Sequence, residues 1–251
     1  RSFLKAMLKK HDRIMSKVVG AYTRRVERHR PIHPEYAAVQ LDEAAGPDTV
    51  FTVDTGMNNV WAARYLTPNG RRRVIGSFLH GSMANALPHA IGAAFADRDR
   101  QVVALAGDGG LSMLLGELIT LRDHELPVTV VVFNNATLGM VKLEMLVEGM
   151  PAHATDTPPV DYRRLAESLD IPALRVQDPR ELRSTFADAL GRRGPVLVDV
   201  VTDPNALSIP PSITAGQVRG FATSMTKQIF GGGSGEVMAM ARSNLRNIPR
   251  P

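Results

Sequence analysis

Cysteine is absent from the 251 residues, which excludes a disulfide framework and any thiolate-ligated metal or cluster, and fits a reducing compartment. Aromatic residues are scarce at 5%, with one tryptophan. They do not interleave with the short basic clusters Lys9-Lys10, Arg24-Arg25, Arg71-Arg72-Arg73 and Arg192-Arg193. The net charge of +5 and pI near 9.8 raise the question of nucleic acid. Without aromatics among the basic clusters, the charge reads instead as a general attraction for anionic ligands or membrane surfaces, with no nucleic-acid partner. No apolar run approaches the roughly 18 residues of a membrane-spanning helix, and no secretory signal is visible. What is present is ordinary globular composition, 44% hydrophobic and 22% charged, enough to bury a core. The chain opens at Arg1 on a polar, helix-patterned stretch to residue 30, which reads as a charged helix or linker at the tail of a preceding domain.

Pro31 and Pro34 interrupt that stretch, and 34-PEYAAVQLDEAAG-46 has the pattern of an amphipathic helix. Short valine-rich runs then alternate with helical patterns. The predicted strands are 49–54, 73–78, 101–107, 128–134, 173–176 and 196–202. Their nearly continuous apolar character is that of strands buried on both faces. Helices are predicted over 58–66, 84–96, 111–122, 139–148, 161–169 and 179–191. The alternation predicts an α/β fold, a parallel sheet of about six strands with helices on both faces. This main domain is expected over 31–204. A proline-containing connector, 203-DPNALSIPPS-212, leads to an extension over 205–251 with helices near 214–229 and 235–248.

Ligands of such sheets gather at the carboxyl ends of the strands, where this chain places Asp54-Thr55-Gly56, 107-GDGG-110 and Asn134-Asn135. Gly107, Gly109 and Gly110 allow a sharp turn and close approach of a ligand to backbone. A helix starting near Leu111 would point free N–H groups at the turn and favour phosphate. Asp108 at the same place repels phosphate unless a cation intervenes, which makes it a candidate Mg²⁺ ligand bridging to phosphate oxygens. Asn135 can add a side-chain oxygen and Thr137 a carbonyl. Taken singly, G-D-G-G and N-N are as well explained as tight turns; the conjunction at the ends of adjacent strands carries the reading.

G-D-G followed at this distance by N-N resembles the metal and diphosphate motif of thiamine diphosphate enzymes. The stretches 76-GSFLHGSMANALPHAIGAA-94, 107-GDGGLSMLLGEL-118 and 131-VVFNNATLGMVKLEM-145 are similar to the bacterial pyruvate oxidases, above all the membrane-associated pyruvate dehydrogenase (quinone) group. The likeness also takes in 52-TVDTGMNNVWAARYL-66 and 196-VLVDVVTDPNALSIPPSI-213. It implies the C-terminal, diphosphate-binding domain of such an enzyme. By that resemblance Asp108, Asn135 and Thr137 hold Mg²⁺. Gly107, Gly109 and Gly110, with Leu138 and Gly139, surround the diphosphate. Met83 wedges under the bent cofactor, flanked by Gly81 and Ser82, with the Gly81 carbonyl facing the aminopyrimidine. Thr55, Gly56 and Met57 line its other side. Glu144 matches an active-site glutamate, and Met140 stands where the family has a phenylalanine, a departure that bears on rate or substrate. Plain core packing for Met83 and a solvated helix face for Glu144 are the alternatives. His80 and His89 read as structural.

The resemblance further implies oxidative decarboxylation of pyruvate, or another small 2-oxo acid, to acetate and CO₂. Electrons would pass through FAD to quinone. The glutamate that activates thiamine and the FAD site belong, in that family, to domains outside these residues. A cofactor held between subunits implies a homodimer or homotetramer. An acetolactate synthase-like carboligase and a non-catalytic magnesium–diphosphate binding module or fragment are the rival readings. In 236-EVMAMARSNLRNI-248, Val237, Met240, Ala241, Leu245 and Ile248 share one helical face, with Arg242 and Arg246 elsewhere. An amphipathic basic helix of this kind can lie on an anionic membrane. The expected location is the cytoplasm, with peripheral contact at the inner face of the cell membrane; the alternative for the tail is a helix packed on the domain.

Overall fold

The computed structural model describes residues 2–23, 26–206 and 214–244. In chain order the elements are α1 (Ser2–Thr23), α2 (Pro34–Ala44), β1 (Val50–Val53), α3 (Met57–Tyr65), β2 (Arg73–Gly76), α4 (Ala86–Ala96) and β3 (Val102–Gly107). There follow α5 (Asp108–Met113), α6 (Glu117–Asp123), β4 (Val128–Asn134), α7 (Gly139–Val147), α8 (Tyr162–Glu167) and β5 (Ala173–Val176). The series ends with α9 (Leu182–Leu190) after a 3-10 turn, β6 (Val196–Val201), α10 (Ala215–Phe230) and α11 (Ser234–Asn244). All six strands pair in parallel, in the order β2-β1-β3-β4-β6-β5.

Each inner strand divides its apolar side chains between two cores, because successive residues of a strand face opposite ways. Val103 and Leu105 of β3 and Val131 and Phe133 of β4 join α2, α3 and α9 around Leu41, Trp61 and Phe186. Ala104 and Ala106, with Val130 and Val132, join α4, α5, α6 and α8 around Leu111, Leu118 and Tyr162. The helix after β1 therefore lies on one face, and the helices after β2 and β3 on the other. The loops leaving β1 and β3 diverge, and a crevice opens between the carboxyl ends of those two neighbouring strands. Such a switch point is where open α/β sheets bind ligands.

Three expectations need correction. The predicted helix 111–122 begins at Asp108 instead and is interrupted at Leu114, which leaves helical geometry at φ −129° and ψ 37°. The three-residue turn at 114–116 preserves the spacing of buried Leu111, Leu118 and Leu121, so the apolar period carries no trace of it. The predicted strand 73–78 ends at Gly76 and is not buried on both faces: as an edge strand, β2 leaves Val74 and Ile75 exposed. Helix α4 begins at Ala86, two residues late, because Ala84 holds a left-handed φ of 61°.

The extension packs on α7. Met240 of α11 is buried against Leu146, with Phe221 and Met225 of α10 beside them, and Lys227 Nζ donates to the Gly149 carbonyl at 3.0 Å. Ser243 Oγ donates to Asp203 Oδ2 at 2.8 Å. The apolar face of the tail predicted over 236–248 thus meets the domain at Met240; Leu245, Arg246 and Ile248 lie outside the described residues. Among the described residues no helix is long and apolar enough to cross a membrane.

Candidate active site

The crevice at the switch point is a cavity of about 250 Å³. It gathers the predicted residues from four loops: Thr55, Gly56 and Met57 after β1, Gly81 and Met83 before α4, Gly107 to Gly110 after β3, and Asn135, Thr137, Leu138 and Gly139 after β4. Met140 and Glu144 of α7 close one side. Of the predicted site residues only Ser82 is not on the wall. It supports the loop, its N–H donating to Ser77 Oγ at 3.1 Å and its carbonyl accepting from Asn85 Nδ2 at 2.6 Å. His89, whose ring nitrogen meets Asn85 Oδ1 at 3.0 Å, braces the same loop from outside the cavity.

Asp108 is the first residue of α5 and is buried. Burial pushes its carboxyl up to about 6, opposed by N–H groups of Gly109, Ala136 and its own backbone. A carboxylate bonded to Ala136 N–H stands directly against the Asn135–Thr137 turn. That turn is sharp: Ala136 has a left-handed φ of 51°, and Asn135 Oδ1 accepts from Thr137 N–H at 3.1 Å. A second segment holds it from behind, with Leu138 N–H donating to the Thr155 carbonyl at 2.8 Å and Thr157 N–H to the Ala136 carbonyl at 2.9 Å. Asp108, Asn135 and Thr137 line one cavity and carry hard oxygen donors of the kind that suits Mg²⁺. The desolvation that raises the Asp108 pKa is what a cation would offset.

Contact requires a glycine at 110, whereas at 109 a Cβ would meet only a side-chain end that can move. A Cβ on Gly110 would lie 2.2 Å from Asp54 Oδ2, and one on Gly109 would lie 2.9 Å from Leu138 Cδ2 and 3.6 Å from Met83 Cε. Bare backbone therefore fills the space beside Asp108, with Met83 reaching in from the opposite loop. Thr55 lines the wall, and its hydroxyl is buried without a hydrogen-bond partner.

Several contributors escaped sequence reading as site residues. Asp54, buried at the end of β1, accepts from Ala86 N–H at 2.8 Å and so fixes the start of α4; burial raises its pKa. Its signal was the acidic residue at a strand's carboxyl end. Tyr162 donates its hydroxyl to the Asp108 carbonyl at 2.9 Å and lies 2.7 Å from Ser112 Oγ. Its backbone N–H reaches Asp199 Oδ2 at 3.1 Å. Asn134 turns away from the cavity and donates to Asp199 Oδ1 and the Val160 carbonyl, both at 2.9 Å. Of the two asparagines, then, one faces the ligand space and the other anchors the strand end, as strand alternation requires. Asp203, Thr202 and Pro34 complete the far rim.

A family model described as the thiamine pyrophosphate enzyme C-terminal TPP binding domain matches residues 54–200, the span from Asp54 through β6. Among curated proteins, a putative thiamine pyrophosphate-containing protein, YdaP of Bacillus subtilis, is 37% identical over 86% of this chain. A probable acetolactate synthase large subunit of Methanococcus aeolicus is 35% identical over 72% of it. Acetolactate synthase 1 of Zea mays is 33% identical over 74% of it. The chain spans only 38%, 32% and 30% of those three proteins.

Proposed function

This chain belongs to the thiamine pyrophosphate enzymes, carrying their C-terminal TPP binding domain, and we propose that it supplies the Mg²⁺–diphosphate half of the active site of an enzyme that decarboxylates pyruvate or a similar small 2-oxo acid. One observation carries this reading: Asp108, the Asn135–Thr137 turn, the bare backbone of Gly109 and Gly110, and Met83 surround a single cavity at the switch point of the sheet. The residues fit the group. Asp108 with Asn135 and the Thr137 carbonyl would hold the cation, and the N–H groups of Gly109 and Gly110 would face the phosphates. The unpartnered Thr55 hydroxyl would meet the organic portion of the cofactor, with Met83 packed beneath it as an adaptable apolar support. When bound, the cofactor supplies a carbon nucleophile and an electron sink for cleaving the bond beside a carbonyl. Glu144, exposed on α7 at the cavity wall, would exchange protons with bound substrate there.

For the fate of the substrate we take the oxidative reading first: electrons passing through FAD, bound largely by residues other than these, to quinone, with acetate released. The stretches around Met83, Asp108 and Asn135 support it by their likeness to the quinone-linked pyruvate dehydrogenases. Carboligation is the second reading, supported by the 35% and 33% identities to acetolactate synthases. A homodimer or homotetramer accords with the exposed apolar strip of Val74, Ile75, Phe78 and Leu79 on the β2 edge and the loop that carries Met83. Peripheral membrane contact through 236–248 would require α11 to leave α7.

Calorimetric titration with thiamine diphosphate tests the binding role. Binding is expected with Mg²⁺ and lost on chelation or in Asp108→Ala, whose circular dichroism should be unchanged. Equal affinity in wild type and Asp108→Ala would sink the assignment. Product analysis with pyruvate and an artificial electron acceptor then separates acetate from acetolactate.

A further inference from the structure

We propose that His29, His33 and Asp203 form a binding site for a divalent transition-metal ion of the zinc type, separate from the Mg²⁺ position at Asp108. A ring nitrogen from each histidine and a carboxylate oxygen of Asp203 lie within 4.8 Å of one another. The segment carrying the histidines runs beside the end of β6: Ile32 N–H donates to the Val201 carbonyl at 3.3 Å, and Asp203 N–H to the Ile32 carbonyl at 2.9 Å. This pairing sets Asp203 beside the two histidines although it is far from them in sequence.

The hydrogen bonds fix which nitrogens are available. His29 Nδ1 lies 3.0 Å from the Pro31 carbonyl, and His33 Nδ1 lies 3.4 Å from Glu35 Oε2. Both partners are acceptors, so in the neutral ring the proton sits on Nδ1 and Nε2 presents the lone pair. His33 is 3% exposed, and its Nε2 is buried without a hydrogen-bond partner. Such a ligand, with a carboxylate holding its other nitrogen, is the arrangement by which proteins orient histidines toward metals and raise their basicity. Glu35 is fully buried and its second oxygen also lacks a partner. A dication would bring positive charge to the two buried carboxyl groups, Glu35 and Asp203.

Two imidazoles and one carboxylate select zinc, cobalt or nickel over Mg²⁺, which prefers oxygen. Bonds of about 2.0–2.1 Å in a tetrahedral site put ligand atoms roughly 3.3 Å apart, so the cluster closes by about 1.5 Å or less as the ion enters, with water as fourth ligand. Asp203 lines the cofactor cavity and accepts from Ser243 of α11. The ion would tie the segment before α2, the end of β6 and the C-terminal helix together at the cavity rim.

Untagged protein, stripped with a chelator and held in excess Mg²⁺, is titrated with Co²⁺ and followed by visible absorption, with metal content checked by mass spectrometry. One equivalent is expected, displaced by Zn²⁺. His33→Ala and the half-buried His29→Ala should each lose it, and Glu35→Gln should weaken it about 10–100-fold through the lost orienting contact. Asp108→Ala should retain it, which separates this site from the cofactor position. No Co²⁺ uptake, or the same stoichiometry and affinity in folded His29→Ala and His33→Ala, overturns the proposal.

Discussion

Gly110→Ala is the sharpest probe of how the diphosphate turn is built. The new methyl would sit 2.2 Å from Asp54 Oδ2 and 2.9 Å from its Cγ, so one partner must retreat by more than 1 Å to reach ordinary contact. Asp54 cannot do so freely, because it is 2% exposed and its other oxygen holds Ala86 N–H at 2.8 Å. Forcing bulk into a packed site costs about 1–3 kcal/mol, and stretching the Ala86 bond adds a further penalty of the order of 1 kcal/mol. Against this, alanine in a helix is favoured over glycine by about 0.5–1 kcal/mol. The net expectation is a loss of roughly 1–3 kcal/mol, a fall in melting temperature of several degrees for a domain of this size at about 2–4 °C per kcal/mol. Gly109→Ala is the control. Its methyl meets the end of the Leu138 side chain at 2.9 Å, which can rotate away, so stability should hold within about 1 kcal/mol. Both variants crowd the backbone proposed to face the phosphates, so both should weaken Mg²⁺-dependent thiamine diphosphate binding. Urea denaturation and calorimetry read the two effects separately. Gly110→Ala as stable as Gly109→Ala would refute the claim that Asp54 is an immovable wall.

Asp54 also predicts a pH dependence. Burial raises its folded-state pKa, so its contribution to stability is fully present below the usual carboxylate value near 3.9 and is lost as pH rises through the raised value. Asp54→Asn keeps an oxygen for Ala86 N–H and removes the buried charge. Its stability should therefore fall less than that of wild type as pH rises above about 4; parallel profiles in urea melts would contradict this. Glu144→Gln should leave cofactor affinity within about twofold while lowering turnover by about 10²-fold or more, as expected of a proton-transferring group. A change in affinity without a change in turnover would return Glu144 to a merely exposed helix face. Ser243→Ala removes the Asp203 bond that helps dock α11, so it should increase cosedimentation with anionic vesicles if the tail engages membranes. Equal partitioning of variant and wild type would remove support for that role.

What could be read in advance follows from how locally each feature is determined. Strands β3, β4 and β6 are valine-rich runs whose two faces are both apolar, and nothing nonlocal is needed to see them. Asp108 and Asn135 were legible because their carboxyl-end positions follow from those strands. The side on which each residue falls is less accessible: Asn134 and Asn135 are adjacent and equally polar, yet only strand alternation sends one to the Asp199 network and the other to the cavity. The left-handed turns at Ala84 and Ala136 carry no local signal, since alanine has neither glycine's freedom nor asparagine's polar side chain to announce them; tertiary bonds from Thr155, Thr157 and Asp54 hold the flanking backbone in place. The exposure of β2 was hidden for the opposite reason. Its apolar residues are those of a buried strand, and only its place at the sheet edge and the exposure of Val74 and Ile75 show otherwise. Tyr162 and the histidine pair act through partners more than fifty residues away, Tyr162 on Asp108 and the histidines beside Asp203. Sequence spacing could propose the ligands of the diphosphate, but the groups that brace those ligands are assembled by topology, and topology is what a pattern of apolar runs leaves unstated.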